Sequence, residues 1–137
     1  MERTFQYHSN IQEIPRIRED LEFMKREWGI SKTEARQILV IIEEIFSNIV
    51  RYAFPDKGEH LVDIQLALLE ARIEIRITDD GVPFNPLEYH MAQDRDPTNS
   101  DAGGMGLSLI KAFSSGIEYQ RISEKNHLRI QKKIKSK

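Results

Sequence analysis

Two carboxylates and a carboxamide interrupt an otherwise apolar stretch, Ile41-Ile42-Glu43-Glu44-Ile45-Phe46-Ser47-Asn48-Ile49-Val50. Glu44 and Asn48, four apart, stack on one stripe of a helix, and Arg51 extends that stripe by a turn. Val40, Ile41 and Tyr52 flank it, so the polar groups emerge among apolar neighbours, as they would in a pocket wall. A second group is Asp79-Asp80-Gly81-Val82-Pro83-Phe84-Asn85-Pro86, directly after a strand pattern. A carboxylate at the end of a buried strand accepts hydrogen bonds from whatever donor fills the adjoining cavity. The exocyclic amine of an adenine is one such donor, and Gly81 lets a ligand approach the backbone closely. The third group is Gly103-Gly104-Met105-Gly106-Leu107 at a helix start, where backbone N–H groups can converge on an anion and the helix terminus favours phosphate. No Gly-Lys-Ser/Thr follows it and the Rossmann spacing is incomplete, so neither of those phosphate motifs applies. Singly, each group also has a plain structural explanation: a polar pair on a solvated helix face, an aspartate-initiated turn, a glycine turn.

Periodicity predicts the elements that must position these groups. Ala35, Ile38, Leu39, Ile42, Ile45, Phe46, Ile49 and Ala53 recur at helical spacing, so one long amphipathic helix carries Glu44 and Asn48. Ser31-Lys32-Thr33-Glu34 reads as a capping box that starts it near Lys32, and Pro55 with the turn residues up to Gly58 ends it around Ala53. Before it, Arg3 to His8 alternates as a short strand, and Ile14, Ile17, Leu21, Met24 and Trp28 mark a helix that Gly29 closes. After it, Val62, Ile64, Leu66, Leu68 and then Ile73, Ile75, Ile77 alternate around a tight turn near Glu70-Ala71, a hairpin with one buried face. Asp79 to Gly104 has no periodicity and reads as a loop of about 25 residues. A short helix is expected over Met105 to Phe113, then an antiparallel pair, Gly116 to Ile122 and Leu128 to Ile134, across a Glu124-Lys125-Asn126 turn. This order predicts an α/β (α+β) two-layer sandwich, a mainly antiparallel mixed sheet covered on one face by helices.

The chain has 137 residues, the size of one domain with one core. Its 22 acidic and 20 basic residues leave no basic excess of the kind that nucleic acid would attract. No run approaches the roughly 18 apolar residues of a membrane span, and Met1-Glu2-Arg3-Thr4 begins no signal peptide. A soluble cytoplasmic protein without membrane or direct nucleic-acid contacts is expected. Zero cysteines exclude disulfides, thiolate zinc sites and a cysteine nucleophile, and His8, His60, His90 and His127 lack metal-ligand spacing.

Taken together and in this order, Glu44-x-x-x-Asn48, Asp79-x-Gly81 and Gly103-Gly104-Met105-Gly106 make the chain resemble the GHKL ATPases with the Bergerat ATP-binding fold. Within them it is most similar to the stand-alone anti-sigma factor and serine-protein kinase family that regulates bacterial stress and sporulation sigma factors. The resemblance runs from about Phe5 to Ile134 and includes the whole phrase from Asp79 to Leu87. It implies one histidine-kinase-like ATPase domain over residues 1–137, an ATP lid at about 87–102, and ATP with Mg²⁺ as cofactors. It also implies roles: Asn48 as the Mg²⁺ ligand beside the triphosphate, Glu44 as the general base, Asp79 as the adenine-amine acceptor with Gly81 beside it. Gly104, Met105, Gly106 and Leu107 match the box whose amides hold the phosphates, and Arg51 and Arg95 are further candidates for phosphate contact. The implied activity is that of a serine/threonine-protein kinase acting on an anti-sigma factor antagonist, with a sigma factor as second partner and room for a homodimer. The alternative is a nucleotide-gated binding module without phosphoryl transfer. Two positions depart from the pattern. Pro83 stands where the wider superfamily has a second glycine, though proline is common in the anti-sigma branch, and His127 and Leu128 stand where that branch places a threonine.

Overall fold

The Asn10 side chain accepts the Gln12 N–H and turns the chain from strand β1 (Glu2–His8) into a 3-10 turn (Ile11–Glu13) and helix α1 (Ile14–Trp28). Pro15 falls in the first turn of α1, where its missing N–H costs nothing, and Gly29 closes the helix in the left-handed conformation at φ 66°. The computed structural model describes residues 1–56, 58–88 and 103–135. Helix α2 (Lys32–Tyr52) starts where the sequence places it, with Ser31 Oγ accepting the Glu34 N–H at 3.1 Å. The other half of the expected capping box differs. The Glu34 carboxylate accepts from the Ser31 hydroxyl at 2.8 Å and from the Lys135 backbone N–H at 2.7 Å, which ties the end of the last strand to the start of α2.

Strands β2 (Leu61–Leu69) and β3 (Arg72–Asp79), helix α3 (Gly103–Phe113), β4 (Gly116–Ile122) and β5 (Lys125–Lys133) complete the fold. The sheet runs in the order β1-β2-β3-β5-β4, and each of its pairings is antiparallel, so among the described residues it is antiparallel throughout rather than mixed. Helices cover one face. Val62, Ile64 and Leu66 of β2, Ile73, Ile75 and Ile77 of β3, and Leu128 and Ile130 of β5 point into a core shared with Ile38, Ile42, Ile45, Phe46 and Ile49 of α2. Each such side chain contributes about 1.5 to 3 kcal/mol by leaving water. The strand period then carries the inward row Ile73, Ile75, Ile77 on to Asp79, whose carboxylate must face the helices.

The largest differences from expectation lie near the Asp79 turn, the hairpin before β5 and the start of α3. Strand β5 begins at Lys125, three residues before Leu128, because the turn is Ser123-Glu124, both at positive φ (51° and 64°), a pairing suited to the twist of a two-residue hairpin. Asn126 is therefore a strand residue. Residues 86–88 are helical, started by Asn85 accepting the Leu87 N–H at 3.0 Å with Pro86 at the first position, so the stretch after Asp79 is not wholly irregular. Helix α3 begins at Gly103 rather than Met105. The expected lid at 87–102 lies almost entirely outside the described residues. Among the described residues no helix is long and apolar enough to cross a membrane.

Candidate functional site

The adjacent carboxylates of α2 part company. Glu43 turns to α1, where Arg18 Nε donates to it at 2.5 Å, while Glu44 turns to α3. The Glu44 Oε2 lies 2.3 Å from where a Cβ on Gly106 would stand, so the absence of a side chain there is what seats the carboxylate at the first turn of α3. Asn48, one turn on, is only 4% exposed in spite of its polarity. Its Nδ2 donates to the Glu44 backbone carbonyl at 2.9 Å, and its carbonyl oxygen Oδ1 has the chemistry a hard cation takes as a ligand. Arg51 is exposed on the last turn of the helix and forms no ion pair among the described residues. Arg95 falls outside them.

Asp79 and Asp80 diverge in the same way. Asp80 faces His60 Nδ1 at 3.6 Å, whereas Asp79 is 3% exposed and continues the inward row of β3. Asp79 Oδ1 accepts two hydrogen bonds, from the Gly81 N–H and from Asn126 Nδ2, both at 2.9 Å. Oδ2 accepts none from the described residues. Burial raises the Asp79 pKa above its ordinary range, against the lowering effect of those two hydrogen bonds. A buried acceptor with one oxygen held and the other open suits a ligand that brings a donor. Gly81 has a further reason to be glycine: a Cβ there would lie 2.3 Å from the Ala53 carbonyl at the end of α2, and that carbonyl also accepts the Val82 N–H at 2.9 Å. The strand-end turn is thus fastened to α2, and the Tyr52 and Phe84 rings meet at 5.7 Å beside it.

On α3, Gly103, Gly104 and Met105 form the first turn, while Gly106 and Leu107 are buried. Glu44 thus meets the start of α3 at Gly106, the Asp79–Gly81 turn meets the end of the same helix α2 at Ala53, and Asn48 lies between these two places along α2. Among the described residues no cluster of three histidine, cysteine, aspartate or glutamate side chains could hold a metal unaided. A cation beside Asn48 would draw on phosphate and water as well, ligands that Mg²⁺ commonly takes. A surface depression of about 580 Å³ lies on the opposite face of the sheet, lined by Arg76, Thr78, His127 and Arg129, and none of the site residues named above lines it.

Asn126 is the site residue the sequence did not announce. His127, one of the two positions where the anti-sigma branch places a threonine, faces the far side of the sheet, 3.5 Å from Thr78 Oγ1. Asn126 pairs with Asp79 in the β3–β5 register and shares its inward face. The signal lies in the alternation of Leu128 and Ile130, which continued backward puts position 126 inward; the turn preference of asparagine conceals it.

A family model described as the histidine kinase-like ATPase domain matches residues 8–132. Over 89 residues the chain is 29% identical to the serine/threonine-protein kinase BtrW of Bordetella bronchiseptica, covering 63% of this chain and 61% of that one. It is 30% identical over 100 residues to the serine-protein kinase RsbW of Bacillus mycoides, with coverages of 66% and 59%. With the anti-sigma F factor of Oceanobacillus iheyensis it shares 26% over 97 residues, covering 67% and 64%. The chain spans about three fifths of the length of these curated relatives. Among solved structures, the blue-light activated histidine kinase EL346 of Erythrobacter litoralis matches with a TM-score of 0.56 at 17% identity, over 77% of this chain and 32% of that one, a likeness of fold alone. Since the matched region runs from the end of β1 into β5 and so contains α2, the Asp79 turn and the start of α3, the chain belongs to the histidine kinase-like ATPase domain family, the GHKL group its sequence resembles.

Proposed function

We propose that this domain binds ATP with Mg²⁺ and transfers the γ-phosphoryl group to a serine or threonine hydroxyl of an anti-sigma factor antagonist, with a sigma factor as its second partner. The seat of Glu44 carries this reading: a carboxylate held against Gly106 stands where a phosphate-binding helix start and an incoming hydroxyl would meet. In this reading Asp79 Oδ2 accepts the adenine amine, and the amides at Gly104, Met105, Gly106 and Leu107 hold phosphate oxygens at the positive end of α3. Asn48 Oδ1 supplies one ligand to Mg²⁺, which when bound neutralises charge on the phosphate oxygens. Glu44 takes the hydroxyl proton as the acceptor oxygen bonds to phosphorus and the bond to departing ADP breaks. The acceptor and the sigma factor are inferred from relatives named serine-protein kinase and anti-sigma F factor. Residues 1–137 act here as one cytoplasmic ATPase domain.

The test is transfer of labelled phosphate from ATP to candidate antagonist proteins, read beside nucleotide affinity. Glu44→Gln keeps the shape of the side chain but removes the base, so ATP binding survives while turnover falls by roughly 10² to 10⁴. Transfer at the wild-type rate would reduce Glu44 to a helix-face carboxylate. A wild-type protein that binds ATP and a sigma factor yet phosphorylates no candidate would be a nucleotide-gated binding module.

A further inference from the structure

Asn126 is 3% exposed and every polar atom of its side chain is engaged. Its Nδ2 donates to Asp79 Oδ1 at 2.9 Å and to the Val82 carbonyl at 2.8 Å. Its Oδ1 accepts the Phe84 N–H at 3.2 Å, Arg121 Nη1 at 3.1 Å and the Tyr119 hydroxyl. Turned over, the amide would aim its oxygen at a carboxylate and a carbonyl, and its nitrogen at three donors. The surroundings therefore fix its orientation.

Resting on the ATP-binding reading above, we propose that Asn126 is the positioning residue that makes the site select an amino over an oxo group on the purine. It holds Asp79 by Oδ1, so that only Oδ2 faces the base, as an acceptor. Both Asn126 protons are spent, so the amide has none to give the base itself. The Gly81 N–H shares Oδ1, which therefore has no place for a proton. An amino group donates to the remaining oxygen, whereas an oxo group would meet it acceptor to acceptor. Arg121 supports the arrangement from β4 by donating to the Gly81 carbonyl at 2.7 Å, and with Val82 and Phe84 also held by Asn126 the whole turn is fixed against β5. Besides burial, the charges acting on Asp79 are Asp80, which favours its protonated form, and Arg121, which opposes it along with the Asn126 bond.

Calorimetric affinities for Mg·ATP and Mg·ITP, which differ at the 6-position, measured from pH 5 to 8, test this. Wild type should prefer ATP by at least about 100-fold at pH 8, since a site built around one hydrogen bond rejects a ligand that cannot make it. In Asn126→Leu, similar in size but without donors, Asp79 takes a proton more readily and can then donate to an oxo group. The preference should shrink by at least about tenfold, and the pH at which ATP affinity falls should move up. An unchanged ratio and pH profile in a variant that still binds ATP would overturn the role of Asn126 and leave the ATP reading standing. A wild type that binds neither nucleotide would overturn both. If Asn126→Leu does not fold, the side-chain amide resonances of Asn126 in the wild type decide. They should shift with the same pH midpoint as ATP affinity, and resonances indifferent to that midpoint would overturn the proposal.

Discussion

Two buried carboxylates of β3 point to opposite faces of the sheet, and their environments push them in opposite directions. At Glu74, burial alone would raise the pKa, but hydrogen bonds from Arg129, Gln131 and Arg76 outweigh it and the net shift is downward from 4.5. Its stabilisation is present above that value and lost as the pH falls through the lower folded value. At Asp79 burial prevails and the shift is upward from 3.8. The native state then keeps the proton longer than the unfolded chain, so this carboxyl favours folding in acid, and that advantage is lost as the pH rises from 3.8 through the raised value. The ionised form of Asp79 is thus a cost to the free protein, which suits a group kept for a ligand. Asp79→Asn can retain the oxygen that accepts from Asn126 and Gly81 while presenting an NH₂ to the pocket. The expected outcome is a urea midpoint at pH 7 no lower than wild type, together with a loss of about 2 to 4 kcal/mol in ATP binding by calorimetry. A lowered midpoint with unchanged ATP affinity would mean that Asp79 serves the fold and not the base.

Glycines 81 and 106 both sit where two elements touch, yet what they touch differs, and substitution should separate them. At Gly81 an added methyl meets the Ala53 backbone carbonyl at 2.3 Å, and that carbonyl belongs to the end of α2. Backbone cannot step aside, so Gly81→Ala should cost about 1 to 3 kcal/mol or more in urea unfolding. At Gly106 the methyl meets Glu44 Oε2, the free end of a flexible side chain. Gly106→Ala should leave stability within about 1 kcal/mol of wild type while moving the carboxylate, so phosphoryl transfer falls and stability does not. Equal stability losses for the two would refute this distinction. The elements themselves were largely legible because each states its period locally: the isoleucine alternation of β2 and β3, the three-and-four spacing of α1 and α2, Gly29 as a stop. The turn before β5 was not, since Ser123 and Glu124 adopt positive φ without being glycine or asparagine, while the asparagine that looked like a turn residue lies inside the strand. Nor does the sequence disclose that Lys132, in the last strand, turns inward to donate to Gln37 at 2.6 Å and to the Phe113 carbonyl at 3.0 Å, tying α2 to the end of α3.

Across the whole molecule the site is drawn from α2, the end of β3, the start of α3 and β5, and only some of that assembly has a local signature. A polar stripe on a helix, a carboxylate at a strand end and glycines at a helix start can each be recognised within a few residues. The pairing of Asp79 with Asn126 spans 47 positions and depends on β5 entering the sheet between β3 and β4, which no local pattern encodes. A ligand gripped by several elements at once should stabilise the fold as a whole. At a hundredfold excess over Kd the gain is about 2.7 kcal/mol, for a domain of this size a Tm rise of roughly 8 to 12 °C with Mg·ATP. Under the same conditions Asp79→Asn, weakened as above, should rise by less than about 3 °C. Asn48 gives the sharper test, because a ligand and its metal act as a unit and their losses do not add. Chelating Mg²⁺ should remove most of the ATP-dependent rise in wild type, whereas in Asn48→Ala the rise should already be small and the chelator should change it little. If the chelator lowers the Tm of Asn48→Ala with ATP as far as it lowers that of wild type, the cation is held elsewhere and Asn48 is not its ligand.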